Sequence, residues 1–499
     1  DGTVSITHGS EAAMAINGRT TAKPGHKRYE ELAEEIARQI AANVLRPGDR
    51  LPSIRQTCRT RHLSPSTVFQ AYDLLENRGL IRAVPRSGYF VNPSPSARAP
   101  EPTMSTPPEG AHPVEITDLV YEILSSVKSR KIVQFGSAFP GPLLFPLDSL
   151  RKAQSSSTRS LGIWSRFDDL PPGNERLLRQ VGKRYLTQGL SVAADEIVLT
   201  NGALEALNFC LQAVARPGDA VVVESPSFYA ALQSLERLQL KAIEVPTHPR
   251  EGVDLSRLAH VLKTQRPKAC WRMTNFQNPL GCSLSREKKH ALVDLLSHNE
   301  VPLIEDDVYG ELHHSNEPPS SAKTFDQRGL VMHCSSFSKT LSPGYRVGWV
   351  AAGRFANSVR RLKLMTSLSG SIPAQATVAE YLQHGGYDRH LRQLRAALKR
   401  QKEALIDSVT RHFPRDVRLT RPEGGYFMWV DLPWDSVDAL AIYRRALANQ
   451  ISIAPGPMFS NHGGFRNCLR LNFGHPWTPQ AEQAIATLGR IVRRRADRL

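Results

Sequence analysis

Short apolar runs recur along the C-terminal part of the chain and constrain its fold more than any other feature. Each run is bounded by turn residues and alternates with a helical pattern; the runs occupy residues 197–200, 220–223, 269–274, 301–304, 331–334 and 347–351. A strand that is apolar along its whole length is buried on both faces, as in a parallel sheet covered by helices. From about residue 131 the sequence therefore predicts an α/β domain with a mostly parallel central sheet.

The N-terminal part has a different pattern, which predicts three helices followed by a hairpin. Apolar residues recur at every fourth position from Leu32 to Val44, so we expect a helix with one apolar face that is ended by Pro47. A second short helix follows, and a third begins where Ser64 can cap it and Pro65 suits the first helical position. Residues 80–91 contain two short extended runs around a turn. This order predicts a winged helix-turn-helix, whose third helix enters the major groove of DNA.

The charge of the chain agrees with a DNA partner but does not establish one. The formal net charge is +17, from 64 basic and 47 acidic residues. Residues 50–86 contain seven arginines and two acidic residues. A basic surface favours an anionic partner, although a run of this kind is equally often a solvated face.

A proline-rich segment lies between the two parts. Seven prolines fall within residues 93–113 among small polar residues, which predicts a semi-rigid linker. Apolar residues from Ile116 to Val127 then follow the template of an amphipathic helix, which we expect to pack on the larger domain or on a dimer partner. We therefore expect a DNA-binding domain at 26–92, a linker with a helix at 93–130, and the α/β domain at 131–499.

Cysteine spacing and hydropathy narrow the class of protein. The six cysteines lack the paired spacing that binds a metal, so we expect buried thiols in a reducing compartment and no metal site. No stretch approaches about eighteen apolar residues, and residues 1–27 lack a basic region followed by an apolar one. We therefore expect neither membrane insertion nor export, and a cytoplasmic protein that is associated with the nucleoid when it is bound to DNA.

Several polar residues follow the predicted strands, where open α/β sheets place their ligands. Lys339 lies in a run of small hydroxyl residues after one strand, and Asp306 and Tyr309 follow another. Pyridoxal 5'-phosphate (PLP) requires a lysine for the Schiff base, a carboxylate that keeps the pyridine nitrogen protonated, and donors to the ring hydroxyl oxygen. Lys339 and Asp306 are candidates for the first two roles, and Tyr309 and Asn278 for the donors.

A PLP site also needs a cradle for the phosphate. A strand, a glycine and a helix start follow one another around Gly202, so backbone N–H groups there would face an anion. Arg346 could hold a phosphate bidentately. The complete set expected at the phosphate is Gly202, Ala203, Leu204, Ser336, Ser338 and Arg346.

Two further residues have more than one interpretation. Phe228 could stack on the pyridine ring or could be an ordinary core aromatic residue. Arg470 lies in an otherwise apolar strand, where an unpaired guanidinium is costly. Its partner is either the carboxylate of a substrate or effector, or a buried acid in a structural ion pair.

These motifs, in this order, resemble the pattern of the fold-type I aminotransferases. The segments that carry the resemblance are Gly202 to Leu207, Asn278-Pro279-x-Gly281, Asp306-x-x-Tyr309, Ser336-x-Ser338-Lys339, Arg346 and Arg470. The resemblance implies a PLP-binding α/β fold with a smaller C-terminal α/β subdomain.

The N-terminal part resembles the winged helix of the GntR family. The matching segments are Leu51-Pro52-Ser53-x-Arg55, Ser66-Thr67-Val68 and Ser87-Gly88-Tyr89-Phe90-Val91. From Tyr29 onward the chain is similar to the MocR family of bacterial transcriptional regulators, in which a homodimeric aminotransferase-like sensor is joined to winged helices that bind operator DNA. With this resemblance, the expected DNA contacts are Arg55, Ser64, Ser66, Thr67, Arg86 and Gly88.

Two positions depart from the family patterns. Pro65 stands where the helix-turn-helix usually has an arginine after the serine that opens the recognition helix. Residues 167–173 lack the tyrosine that, in the aminotransferase family, reaches the phosphate from the neighbouring subunit. This either weakens cofactor binding or leaves the contact to another group.

Three functions fit the sequence. The first is a PLP-dependent DNA-binding transcriptional regulator that senses an amino compound through aldimine exchange at Lys339. The second is an active PLP-dependent aminotransferase that carries a DNA-binding domain. The third is a repressor that responds to PLP itself. In each case DNA binding should weaken as salt rises, because phosphate contacts release counterions.

Overall fold

The computed structural model describes residues 28–42, 44–46, 48–84, 87–92, 99–125, 131–162, 170–384, 386–434 and 436–496. The chain divides into two compact units, a smaller one that ends at Arg98 and a larger one that begins at Ala99.

The smaller unit contains helices and a hairpin in the predicted order. Its elements are α1 (Arg28–Ala41), α2 (Ile54–Arg61), α3 (Pro65–Asn77), β1 (Ile81–Val84) and β2 (Gly88–Val91). The two strands are antiparallel, with Ile81 opposite Val91 and Val84 opposite Gly88. Apolar side chains of all three helices and both strands form one core, which includes Leu32, Ile36, Val68, Tyr72, Leu75, Ile81 and Val91. The winged helix-turn-helix prediction is confirmed.

The first helix is shorter than its apolar pattern predicts. It ends at Ala41, and Val44 is 69% exposed instead of lying on the apolar face. The backbone N–H groups of Val44 and Leu45 both donate to the carbonyl of Gln39, so the chain turns away from the helix axis at this point. Leu45, one residue later, packs against the core. A spacing of four residues does not show whether the helix continues to Val44 or whether the chain leaves the helix and places Leu45 in the core instead.

The larger unit is built around a mixed, mostly parallel sheet. The strands of this unit are β3 (His112–Pro113), β4 (Val133–Gln134), β5 (Ile197–Thr200), β6 (Ala220–Ser225), β7 (Lys241–His248), β8 (Gly252–Val253), β9 (Ala269–Arg272), β10 (Leu303–Asp306), β11 (Val331–Ser336), β12 (Gly348–Ala351), β13 (Arg418–Leu419), β14 (Phe427–Asp431), β15 (Ile451–Ser452), β16 (Ala454–Pro455) and β17 (Cys468–Asn472). In the large sheet the order is β3-β7-β6-β9-β10-β11-β12-β5, with β8 beside β7. Strands β7, β6, β9, β10 and β11 are parallel to one another, and β12 is antiparallel to both of its neighbours.

Helices cover both faces of this sheet. The helices of the larger unit are α4 (Thr117–Ser125), α5 (Leu147–Ser160), α6 (Glu175–Thr187), α7 (Ala203–Val214), α8 (Tyr229–Arg237), α9 (Leu255–Gln265), α10 (Arg286–His298), α11 (Ala356–Thr366), α12 (Ile372–His384), α13 (Tyr387–His412), α14 (Ala439–Ala448) and α15 (Pro479–Ala496). Of these, α14 and α15 pack in the C-terminal part, where α14 lies against β15 and β16 and α15 against β4. In β6, Val221 and Val223 face one core cluster, whereas Val222 faces another that contains residues of α9 and α10. Burial on both faces explains why the strands are apolar throughout.

A smaller antiparallel sheet lies in the C-terminal part of this unit. Its order is β13-β14-β17-β16, and β15 pairs in parallel with β4 in a separate short sheet. Arg470 lies in β17, opposite Trp429 of β14. The expected smaller C-terminal α/β subdomain is therefore present.

Part of the proline-rich segment lies on the larger unit. The Ser105 hydroxyl donates to the carbonyl of Ser225 at 2.5 Å and accepts the N–H of Thr247 at 3.1 Å. Strand β3 pairs with β7. The composition predicts a linker, but the structure attaches the stretch from Ala99 onward to the large sheet by hydrogen bonds that composition cannot reveal.

Helix α4 follows this segment and packs on the larger unit. The Glu236 carboxylate accepts the N–H groups of Ile116 and Thr117, each at 2.9 Å. Val120 and Ile123 are buried, whereas Tyr121 is 72% exposed. Val127, the last residue of the predicted apolar face, lies outside the described residues.

No helix in the described part of the chain is long and apolar enough to cross a membrane. The cysteines form no disulfide; five of them are buried and Cys58 is half-buried.

Candidate cofactor site and candidate DNA interface

Lys339 lies in the turn that follows β11, at the carboxyl edge of the large sheet. Its Nζ donates to the carbonyl of Ala138 at 2.8 Å and lies 3.8 Å from the centre of the Phe139 ring. Burial lowers the pKa of Lys339 to about 7, and the positive charges of Arg470 and Arg346 act in the same direction, while Asp306 opposes them. At neutral pH a large fraction of this amine is therefore unprotonated and nucleophilic.

Asp306 is the last residue of β10 and lies on the same edge. Burial raises the pKa of Asp306 to about 7, Asp307 raises it further, and Lys339 opposes the change. Its Oδ1 is buried and has no hydrogen-bond partner among the described residues. A buried acceptor in this state is costly unless a ligand supplies a donor.

Asn278 has the complementary unsatisfied atom. Its Oδ1 accepts a hydrogen bond from Nη1 of Arg470 at 2.8 Å. Its Nδ2 is buried without a hydrogen-bond partner in the described part of the structure. The arrangement leaves an N–H donor for a ligand oxygen, as the sequence predicts for the ring hydroxyl oxygen.

Arg470 is completely buried beside these residues. Its Nη2 donates to the carbonyls of Gly136 at 2.7 Å and Ser137 at 3.2 Å. The guanidinium lies 4.3 Å from the centre of the Phe427 ring and 5.1 Å from that of Phe459. Within the described ranges it forms no ion pair with a carboxylate, so the structure does not contain the structural ion pair that the sequence left open.

The predicted phosphate residues come together where α7 begins. Gly202 has φ +82°, and a Cβ at this position would lie 2.5 Å from Nη2 of Arg346. Arg346 donates to Oγ of Ser338 at 3.4 Å and to the carbonyl of Asn201 at 3.1 Å. The guanidinium therefore lies against the N-terminus of α7, which is a favourable environment for an anion.

The remaining members of this set lie on either side of that contact. Oγ of Ser336 accepts the N–H of Ser338 at 3.4 Å, and Ala203 and Leu204 form the first turn of α7. The Leu204 side chain is 44% exposed, so the group of this residue that we expect at the phosphate is its backbone N–H.

Tyr309 and Phe228 differ in how firmly they are held. Tyr309 is buried, with its ring edge-on to Tyr426 at 5.4 Å and to Phe427 at 5.6 Å. Phe228 is half-buried immediately before α8, and its ring lies 4.7 Å from that of Tyr229. The stacking role of Phe228 remains a prediction.

The candidate DNA residues lie on the helix-turn-helix. Ser64 caps α3: its Oγ accepts the N–H of Thr67 at 3.2 Å and bonds to Oγ of Ser66 at 2.9 Å and to Oγ1 of Thr67 at 2.7 Å. The Ser64 hydroxyl is thus already engaged within the helix start. Arg55 and Ser66 are exposed, and Arg86 lies outside the described residues.

Gly88 opens β2 with φ +102°. A Cβ at Gly88 would lie 3.4 Å from Nε of Arg50, so the Arg50 side chain lies directly over the glycine. Sequence reasoning did not single out Arg50, nor Phe69, which is 54% exposed on α3. The signal in the sequence is a phenylalanine outside the apolar stripe that Val68, Tyr72 and Leu75 form.

Two arginines of the basic run are used inside the smaller unit. Arg61 forms a bidentate pair with Glu35, at 2.7 and 3.0 Å, and Arg78 pairs with Glu34 at 2.6 Å. Both acids lie on α1. The excess of arginines in the sequence therefore overstates the positive charge that is available to DNA.

Family comparisons match both units. The family model for "Aminotransferase class I and II" matches residues 141–488, and that for "Bacterial regulatory proteins, gntR family" matches residues 28–91. The chain belongs to the class I and II aminotransferase family. Together with its gntR-type segment it has the MocR architecture.

Two relatives match most of this chain and nearly all of their own length. The "Uncharacterized HTH-type transcriptional regulator YdcR" of Escherichia coli (strain K12) is 44% identical over 94% of this chain and 100% of its own length. The regulator of the same description named YjiR, from the same strain, is 35% identical over 94% of this chain and 99% of its own length.

Solved structures resemble the larger unit. The multiple substrate aminotransferase from Thermococcus profundus has a TM-score of 0.71 and 26% identity, and covers 76% of this chain and 96% of its own. The α-aminoadipate aminotransferase LysN from Thermus thermophilus, complexed with N-(5'-phosphopyridoxyl)-L-leucine, has a TM-score of 0.70 and 28% identity, and covers 76% of this chain and 95% of its own.

Membership of the aminotransferase family supports PLP as the cofactor, and the residues fit it. The unsatisfied Oδ1 of Asp306 is an acceptor that fits a protonated pyridine nitrogen, and the unsatisfied Nδ2 of Asn278 is a donor that fits a ring oxygen. Sequence reasoning missed Ala138 and Phe139, which hold the Lys339 amine. They follow the short strand β4, and a turn of small residues and prolines there gives no chemical signal by itself.

Proposed function

We propose that this chain is a PLP-dependent DNA-binding transcriptional regulator in which the larger unit senses an amino compound through aldimine exchange at Lys339. The comparisons support a regulator with an aminotransferase-like domain. We assign DNA binding to residues 26–92, the connection to 93–130 and the sensor to 131–499. The observation that carries the proposal is a nucleophilic lysine site in the same polypeptide as a gntR-type winged helix.

The cofactor roles follow from the contacts around Lys339. Asp306 would accept the pyridine N–H, and Asn278 and Tyr309 would donate to the ring hydroxyl oxygen. Phe228 would stack on the ring. The phosphate would lie among the backbone N–H groups of Gly202, Ala203 and Leu204 and the side chains of Ser336, Ser338 and Arg346. The close contact of Arg346 with Gly202 supports this last assignment.

Arg470 would bind the carboxylate of the effector. Its charge is buried, aromatic rings lie against it, and no carboxylate of the described residues neutralises it. A guanidinium and a carboxylate form two parallel hydrogen bonds, which would orient an α-amino acid with its amine toward Lys339. The effector class that this arrangement favours is therefore an α-amino carboxylate.

DNA binding would use the exposed polar residues of the helix-turn-helix. Ser66 and Thr67 lie in the first turn of α3, the part of a recognition helix that reaches base edges. Arg55 is exposed on α2 and would contact a phosphate, as would the backbone of Gly88 at the start of β2. We propose the same role for Arg86, which lies outside the described residues. We assign Ser64 mainly to the cap of α3, because its hydroxyl is already hydrogen-bonded there.

A homodimer would complete the larger unit. Large apolar side chains of this unit are exposed, among them Leu143 at 85%, Met365 at 74%, Tyr121 of α4 at 72% and Leu368 at 56%. Exposed apolar residues in such number favour burial against another protein surface. A second copy is the occupant that matches an operator with two half-sites.

A second candidate is a working aminotransferase that carries a DNA-binding domain. The groups that such chemistry needs lie around Lys339, and the solved structures that resemble this unit are aminotransferases. Rapid multiple turnover with an amino donor and a keto acid would favour this candidate.

The test is an absorbance spectrum of the PLP-loaded protein, recorded with a panel of amines beside a binding assay on its own upstream DNA. A regulator should show a spectral change with the same amine that changes DNA affinity. DNA binding that responds to PLP alone and to no amine would instead favour a repressor that senses the cofactor. A spectrum without any imine band would contradict the proposal.

A further inference from the structure

A cavity of about 670 Å³ lies in the larger unit, outside the residues proposed to hold PLP. Its walls are the end of α6, the segment that follows β10 and the first half of α13. Asp307 borders this cavity, whereas its neighbour Asp306 does not. We call it the α13 cavity. Its volume lies in the range of small-molecule sites, about 300–1,000 Å³.

The carboxylates in the wall of the α13 cavity already have partners. Glu311 accepts a hydrogen bond from Nε of Arg184 at 3.0 Å and another from the hydroxyl of Tyr387. Asp388 accepts one from Nη1 of Arg184 at 2.6 Å. These acids are therefore occupied by contacts within the wall.

Asp307 is occupied in the same way. Its Oδ2 lies 3.1 Å from Nε2 of His333, and its Oδ1 accepts Nδ2 of Asn275 at 3.1 Å. Burial lowers the pKa of His333, but the hydrogen bond with Asp307 and the nearby acids outweigh it and raise the pKa overall. The acidic side chains of the wall thus leave little uncompensated negative charge.

Two arginines on α13, Arg392 and Arg395, form no ion pair with a carboxylate of the described residues. Arg392 is exposed and forms no hydrogen bond or ion pair with any residue that the structure describes. Arg395 is half-buried; its Nε donates to the carbonyl of Glu311 at 2.7 Å, and its terminal nitrogens have no acceptor in the described ranges. Together with Lys399 they occupy positions i, i+3 and i+7, so all three lie on one side of the helix and border the cavity.

His313 and His314 differ from His333 in the direction of their pKa shifts. Burial lowers the pKa of His313, and the charge of Arg395 lowers it further. Burial lowers the pKa of His314 to about 3, with further contributions from Lys402 and Lys399. Both rings are therefore neutral at neutral pH, and the cations that contribute to these shifts lie on α13.

We propose that the α13 cavity is a second ligand site, which binds a small dianion, either a phosphate ester or a dicarboxylate, between Arg392 and Arg395. Each guanidinium offers parallel N–H donors that match carboxylate or phosphate oxygens. The inference goes beyond the proposed function, because it requires neither the Lys339 imine nor an effector at Arg470. Duplex DNA is a poorer fit, since Arg395 is half-buried in a concave wall that a phosphate backbone would have to enter.

The test uses the full-length protein loaded with PLP, so that the phosphate residues around Gly202 are occupied. Inorganic phosphate is titrated by calorimetry at constant ionic strength. We expect saturable binding that Arg392→Ala weakens about tenfold, as for the loss of a charge-assisted hydrogen bond. Arg395→Lys tests the second guanidinium with a retained charge. Arg389→Ala is the matched control, because Arg389 is exposed on the same helix but does not line the cavity.

A succinate titration in the Arg470→Ala protein distinguishes the two ligand sources, since this variant removes the other carboxylate site. Binding of phosphate alone identifies a phosphate ester, and binding of succinate alone a dicarboxylate. Absence of saturable binding for both would overturn the proposal, as would an equal loss in Arg389→Ala. If Arg392→Ala weakens operator binding but leaves phosphate binding unchanged, the surface is a DNA contact and the proposal is wrong.

Discussion

The site around Lys339 and the helix-turn-helix surface differ in how their functional residues can be recognised. Around Lys339 the informative atoms are buried and unsatisfied, such as Oδ1 of Asp306 and Nδ2 of Asn278. On the smaller unit the buried polar groups are satisfied: the Thr57 hydroxyl lies 2.9 Å from that of Tyr72, which donates to the carbonyl of Pro52. The residues proposed to bind DNA, such as Arg55 and Ser66, are instead exposed, so no buried unsatisfied atom indicates them.

This difference determines how well each kind of ligand site can be recognised from the structure of the protein. A small cofactor enters a low-dielectric site, where a missing hydrogen bond costs about 1–3 kcal/mol and marks the ligand position. DNA binds an open surface, where water satisfies every free group and the unoccupied state costs little. Mutations should separate the two regions accordingly.

The largest effect is expected for Lys339→Ala. Borohydride reduction of the PLP-loaded wild-type protein should tag the peptide that contains residue 339, and the variant should give no tag and no response of DNA binding to amines. Its DNA affinity without effector should stay unchanged, because the DNA residues lie in the smaller unit. An effector response of DNA binding that stays unchanged in the variant, measured by gel shift, would contradict sensing through Lys339.

Arg470→Ala should come next. Loss of a buried guanidinium–carboxylate pair typically costs about 2–5 kcal/mol, so an effective α-amino acid should act only at about a hundredfold higher concentration or above. Amines without a carboxylate should act at the same concentration as in the wild type. Spectral titration with both kinds of amine measures the difference, and equal weakening of both would place the carboxylate contact elsewhere.

Gly202→Ala should weaken PLP binding by roughly tenfold to a hundredfold, on the basis of the cost of an L-residue at positive φ and of a displaced charge-assisted contact. The added methyl would meet Nη2 of Arg346 at 2.5 Å. Gly218→Ala is the control, since Gly218 also has positive φ, at +91°, but no atom lies within 4 Å of its Cβ position. Similar PLP affinities of the two variants would contradict the phosphate assignment.

Arg55→Ala should lower operator affinity about tenfold or less and reduce the salt slope by about one, as for one phosphate contact. Arg61→Ala is the contrasting variant on the same helix, because Arg61 is already paired with Glu35. Arg61→Ala should lower the free energy of unfolding by the value of an exposed ion pair, below about 1 kcal/mol, and should leave DNA affinity unchanged. Fluorescence anisotropy over a range of salt concentrations measures both slopes.

A small effect is also expected for Ser64→Ala, which removes the cap of α3 and should cost about 1 kcal/mol of stability. Ser66→Ala should leave the thermal midpoint of the smaller unit unchanged and weaken operator binding instead. Calorimetry and gel shift on both variants would sharpen the comparison. A stability loss in Ser66→Ala without loss of DNA affinity would reverse the roles of the two serines.

Much of the fold and of the candidate site could be predicted because strand ends and turns have strong local signals. Asp306 ends one fully buried strand and Lys339 follows the neighbouring one, so parallel pairing brings their sequence neighbourhoods to one edge. Val44 shows the limit of the same reasoning, because the end of α1 depends on which apolar residue reaches the core. Ala138 could not be predicted, since a backbone carbonyl has the same chemistry at every position.

The sequence by itself determined the order of the elements, the lysine with its carboxylate, and the presence of a DNA-binding motif, because these depend on periodicity and on residue type. Only the tertiary structure decided which charges are free. It paired Arg61 and Arg78 with α1, left Arg470 without an acid from the part of the chain that the structure describes, and opened a cavity beside Arg392 and Arg395. Whether a charge is neutralised depends on neighbours that are distant in sequence, and only packing brings those neighbours together.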